Sequence, residues 1–138
     1  MKFKPFLTTL VLASALATSA TAKTYKCSIT PAGNGAWIPE FVVLDHDEAT
    51  GDVVVLDELI KYFKDRPIEG EVSTDNAKRI TYKWVLKDIT VTGGGSRNFV
   101  KGFRFTLTVQ KGSLKASMFS TPIGYVNRDN GEGRCTVE

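Results

Sequence analysis

Two long stretches of period-two alternation constrain this chain more than any other feature. Ile80, Tyr82, Trp84 and Leu86 alternate with Thr81, Lys83, Val85 and Lys87; Phe103, Phe105, Leu107 and Val109 alternate with Arg104, Thr106, Thr108 and Gln110. A period of two sends each set to its own face of a pleated strand, whereas a helix would scatter the same residues around its circumference. After Lys111-Gly112-Ser113, a hairpin-turn signal, Leu114, Ala116 and Met118 continue the pattern. Upstream, the runs Phe41 to Leu44 and Val53 to Leu56 flank Asp47-Glu48-Ala49-Thr50-Gly51, a second hairpin signal. Strands are expected at about 25–30, 38–46, 52–57, 69–74, 79–91, 99–110, 113–119, 122–127 and 132–137. Eight or nine strands at such spacing predict an all-β fold, an antiparallel barrel or barrel-like sandwich. Only Asp57 to Lys64 breaks the pattern. Leu59, Ile60 and Phe63 share a helical face, Asp57 is a candidate cap and Arg66-Pro67 ends the run, so at most one short helix is expected.

The N-terminus reads as an address label. Lys2 and Lys4 precede the apolar stretch Phe6 to Leu16, and Ala20-Thr21-Ala22 supplies the small-x-small pattern of a signal-peptidase site. The stretch is too short and too interrupted by Thr and Ser to span a bilayer. Residues 1–22 are therefore expected to be a cleaved signal peptide, and residues 23–138 a single β domain that is periplasmic or secreted by a bacterium. Removing residues 1–22 from the 138-residue chain leaves 116, enough for one small domain. The label carries Lys2 and Lys4 and no acid, so the formal net charge falls from +3 to +1. A nearly neutral domain is a poor candidate for non-specific nucleic-acid binding.

The two cysteines, Cys27 and Cys135, lie near the ends of the mature chain. In an oxidising compartment an isolated pair reads as a disulfide, here one that closes the chain into a ring. A metal site would have only one histidine to add, so no metal or cofactor is implied; reduced or intermolecularly paired thiols are the remaining alternative. Charge is segregated. Residues 40–75 hold eleven acids and three bases, and residues 78–128 hold one acid and ten bases. Lys83, Lys87, Arg104 and Lys115 fall on the polar phase of their strands. They read either as a solvated face that attracts the acidic half or as a basic patch for an anionic partner.

Catalytic constellations do not assemble. The single histidine, His46, sits in Asp45-His46-Asp47, where a strand points both aspartates to the face opposite the ring. It is expected to be a surface histidine beside a turn. Asp45, Asp47, Glu48 and Asp52 depart from the EF-hand pattern at Ala49, Thr50 and Leu56. Gly93-Gly94-Gly95-Ser96 lacks the ending of a phosphate loop and reads as a hairpin loop. Tyr82, Trp84, Phe103 and Phe105 lie on the inward phase, where they either fill a core or line a chamber for one small apolar ligand. Trp37, between turn residues and a strand, either closes a barrel end or presents an exposed contact.

Three resemblances follow from these residues. Gly35-Ala36-Trp37 resembles the Gly-x-Trp that begins the first strand of lipocalins, barrels that carry apolar ligands. Tyr25-Lys26-Cys27 with Cys135 is similar to the small periplasmic lysozyme inhibitors of the membrane-bound type, disulfide-held antiparallel barrels, although their Ser-Gly-x-x-Tyr loop is absent. Tyr82-x-Trp84-x-Leu86 and Gly131-x-Gly133-x-Cys135 resemble small secreted β proteins of Gram-negative bacteria that have no assigned function. The expected function is non-enzymatic binding of a small apolar or amphipathic ligand, with Trp37, Tyr82, Trp84, Phe103 and Phe105 lining its site. The alternative is a protein-binding module or hydrolase inhibitor that acts through exposed loops such as 93–98.

Overall fold

The computed structural model describes residues 21–34, 36–93 and 96–138, with the backbone alone described over 92–93 and 96–99. Residues 1–20 of the expected signal peptide, Gly35 and the centre of the 93–96 loop lie outside the described residues. The strands are β1 (Ala22–Pro31), β2 (Phe41–Asp47), β3 (Val53–Asp57), β4 (Ile68–Asp75), β5 (Arg79–Gly93), β6 (Ser96–Gln110), β7 (Lys115–Pro122) and β8 (Asp129–Val137). Each pairs antiparallel with its neighbour in sequence, and β8 returns to β1, so eight strands form one closed meander. Closure pairs both edges of the wall, and outer edges remain only along the β5–β6 hairpin where it extends beyond β4 and β7. A single helix, α1 (Glu58–Lys64), interrupts the wall between β3 and β4.

The alternation works as the sequence predicts. Ile80, Tyr82, Trp84 and Leu86 of β5 face the interior, as do Phe103, Phe105, Leu107 and Val109 of β6, all buried. One expected strand is absent: Pro122 ends β7, Gly124 takes a left-handed φ of 91°, and residues 123–128 form a connection instead of the strand expected at 122–127. A proline has no N–H to give to the ladder, and the glycine turns the chain away from it. At Asp88 (φ 53°) the phase of β5 changes, so the next inward residue after Leu86 is Ile89. Beyond this kink the β5–β6 hairpin runs past the wall as an arm over one end of the barrel.

Cys27 and Cys135 are register partners on β1 and β8 and form the disulfide, buried inside the closing seam. Gly133 explains its own identity: a Cβ there would fall onto the Ser28 carbonyl oxygen. The two strands therefore approach closely just beside the disulfide only because that position carries no side chain.

A meander puts odd connections at one end and even connections at the other. The turn end holds the β2–β3, β4–β5 and β6–β7 turns. The helix end holds the 32–40 connection, α1, the arm and the 123–128 connection. The same wiring converts charge order in the sequence into charge position. The acidic stretch becomes β2–β4 and the basic stretch becomes β5–β7, on opposite sides of the wall. No helix among the described residues is long and apolar enough to cross a membrane.

Candidate functional site

The aromatic residues expected to line a ligand chamber are packed against one another. Trp84 stacks on Phe105 with ring centroids 5.5 Å apart, and Phe103 lies 6.3 Å from Phe105. Trp37 stacks on Phe103 at 4.7 Å, and its backbone N–H donates to Asp129 Oδ2 at 2.8 Å. Tyr82 sits deeper toward the turn end, edge-on to Tyr25 at 5.6 Å. Four of the five expected residues thus form a continuous aromatic column, and Trp37 closes it at the helix end.

His46 departs from its expected place. It is 4 % exposed, and Nδ1 lies 3.0 Å from the Tyr82 hydroxyl. The physical reason is register: Val42, Leu44 and His46 hold the inward phase of β2 to its last turn, opposite Val53 of β3. The Tyr82 hydroxyl supplies a partner that the sequence did not reveal, and burial pushes that phenol above its ordinary range, with Tyr25 adding to the effect. The neighbouring acids serve separate partners. Asp45 accepts from the Thr24 hydroxyl, Asp47 caps its own turn at the Ala49 and Thr50 N–H groups, and Glu48 pairs with Lys23.

The helix end is different in character. Asp57, missed as a site residue and named only as a cap, is the N-cap of α1, its Oδ1 accepting from the Ile60 N–H at 2.7 Å. Its Oδ2 is buried without a hydrogen-bond partner, as are Trp84 Nε1 and Ser120 Oγ. Burial pushes the Asp57 carboxyl up to about 6; the Ile60 and Leu59 N–H groups oppose this, as does the Trp84 indole, which stays outside hydrogen-bond geometry. These three atoms, the unpaired ones found among the described residues, lie in the half of the interior beneath α1 and the 32–40 connection. Buried polar atoms are seldom left unpaired, so their grouping marks this end as imperfectly satisfied. Around its rim, Tyr62 is 79 %, Tyr125 67 % and Val126 102 % exposed. A cleft of about 200 Å³ opens here, lined by Trp37, Leu59, Tyr62, Phe63, Thr90 and Val91.

The expected basic patch divides. Lys83, Lys87 and Arg104 share one open groove with Arg66, whereas Lys115 lines a separate hollow beside Arg134 of β8. Register sets the division: Arg104 of β6 faces Thr121 of β7, and Lys115 lies six residues back along the same strand. Comparison with protein-family models, with curated proteins and with solved structures returned no match.

Proposed function

We propose that this protein is a non-enzymatic binding protein working outside the cytoplasm, and that it engages a protein partner with the surface of its helix end. One observation carries the reading. The interior aromatics are stacked on each other, while Tyr62 of α1 and Tyr125 of the 123–128 connection are exposed at the helix end, where Tyr62 lines the cleft. Tyrosines in such exposed positions supply large contact area with few rotatable bonds, the character of an interface anchor. At the helix end, the size of the cleft favours a protein over a carried small molecule. Ligand chambers run to roughly 300–1,000 Å³, and the cleft holds about 200 Å³. That volume suits one apolar side chain of a partner, as would serve for an inhibitor of a hydrolase.

Support for the compartment comes from the Cys27–Cys135 disulfide and from the basic, apolar and small-residue order of residues 1–22. The non-enzymatic reading draws on the only histidine, whose ring is buried and engaged with Tyr82.

The test is a photo-crosslinking amino acid at Tyr62, with Val54 on the exposed wall as control, in protein isolated gently from the host's periplasm. A crosslink from position 62 alone to one protein is the expected outcome. A reproducible adduct of small mass in native mass spectrometry, with no crosslink, would replace this reading with ligand carriage.

A further inference from the structure

Four cations outside the ion pairs found among the described residues line a groove built from different residues than the helix-end cleft. Arg66 precedes β4; Lys83 and Lys87 point outward from β5, and Arg104 from β6. Together with Glu69 and Glu71 of β4 they line an open groove of about 890 Å³. Among the described residues the ion pairs are Lys23–Glu48, Lys26–Glu138 and Lys111–Asp75, and none involves these four cations. The lack of pairing at Lys83 is notable because Glu71 is its register partner. The groove thus keeps its charges available.

Register also arranges them. Arg104 faces Val85, midway between Lys83 and Lys87, while Lys87 faces Gly102, which offers no side chain to cover it. A strand advances about 3.3 Å per residue, so positive charge recurs at steps of roughly 6–7 Å along the groove. The opposite bank is not basic. Glu69 and Glu71 are exposed carboxylates outside every ion pair found among the described residues, although Glu71 faces Lys83 in register.

We propose that this groove binds an acidic polysaccharide, with carboxylate or phosphate groups of the glycan on Lys83, Lys87 and Arg104, and its hydroxyls donating to Glu69 and Glu71. A purely polyanionic partner would meet repulsion along the β4 bank. A neutral glycan would leave the basic bank unused. A chain that carries both anions and hydroxyl donors satisfies both banks, which is the charge complementarity the groove presents. The assignment stands on different residues from the helix-end cleft, so either can fail alone.

The test uses the mature chain and three probes in biolayer interferometry: polygalacturonate, which has anions and hydroxyls; dextran, with hydroxyls only; and poly-L-glutamate, with anions and peptide groups but no hydroxyls. Polygalacturonate is expected to bind, more weakly as salt rises, with dextran silent and poly-L-glutamate clearly weaker. Lys83→Glu with Lys87→Glu is expected to lower polygalacturonate affinity by about tenfold or more, the scale of losing two surface charge contacts and adding repulsion. Arg104→Ser alone, with an unchanged melting curve, gives a smaller loss and covers the case in which the double variant misfolds. The deciding variant is Glu69→Ala with Glu71→Ala. The proposal requires it to weaken polygalacturonate, because hydroxyl acceptors are lost. Tighter binding by that variant, equal binding of poly-L-glutamate, or no binding of polygalacturonate overturns it.

Discussion

The two ends of the barrel are built on opposite principles. At the turn end, short connections satisfy themselves. Asp47 Oδ1 accepts from the Ala49 and Thr50 N–H groups, and Asn76 Oδ1 accepts from those of Lys78 and Arg79. Ser113 Oγ accepts from the Lys115 N–H, and even the buried His46 has Tyr82. At the helix end the connections are long, α1 and Trp37 close the interior, and Asp57 Oδ2, Trp84 Nε1 and Ser120 Oγ stay unpaired beneath them. Exposed tyrosines gather there as well. One end is locally specified and satisfied; the other is held by packing and carries unspent polar capacity.

The largest expected effect acts on the frame that both ends share. Cys27→Ser and Cys135→Ser should each destabilise by about 3–4 kcal/mol, given the long loop the disulfide closes. The double variant should be no worse than either single one in denaturant unfolding. Additive losses would mean that the two cysteines act separately.

Trp37→Ala comes next, with a loss of about 2–3 kcal/mol from a half-buried, stacked ring. It sharpens the comparison directly. Hydrogen exchange should rise in α1 and in the β5 backbone around Ile89 while the β2–β3 and β6–β7 turns stay protected. Equal loss of protection at both ends would erase the distinction.

Asp57→Asn should stabilise the protein at neutral pH. A folded pKa of about 6 against 3.8 means the folded state holds the proton more tightly than the unfolded chain. The stability it contributes is complete below about pH 3.8 and is lost as pH rises through about 6, roughly 3 kcal/mol in all. Asparagine keeps the cap without the charge. The variant should therefore gain about 2–3 kcal/mol at pH 7.5 and little at pH 3.5, read from melts at the two pH values. A pH-independent difference would indicate a solvated carboxylate.

The smallest effect belongs to the turn end. Asn76→Ala removes two hydrogen bonds to exposed backbone and should reduce stability by about 1 kcal/mol, with no change in exchange at the helix end.

Much of this architecture is legible in the chain because it is written in short-range terms. The inward residues of β5 and β6, the turns at Asp47–Gly51 and Lys111–Ser113, and the Asp57 cap each depend on spacing over a few residues. Two expectations miss for related reasons. His46 stands beside a turn, and proximity to a turn suggests solvent; its burial follows from a β2 register that keeps the inward phase to the strand's end. The stretch 122–127 has strand-like composition, yet Pro122 and Gly124 break the ladder there. Among the candidate site residues, the sequence placed the aromatics on the correct face without revealing that they stack on each other. It grouped four cations, three of which share a groove. Arg66 joins them because α1 delivers β4 alongside β5, and Tyr62 and Asp57 acquire their settings only from what α1 covers.

Local pattern therefore determined the strands, the helix, the inward faces and the order of acidic and basic stretches, since each depends on neighbours along the chain. The Cys27–Cys135 pairing and the barrel class were also legible; tertiary structure alone decided that the wall closes as an eight-strand meander with that disulfide on the β1–β8 seam, and that one end is left with unpaired polar atoms and outward aromatics. Those outcomes depend on which distant residues share a register or a cavity, and no short stretch of sequence encodes the presence or absence of such a partner.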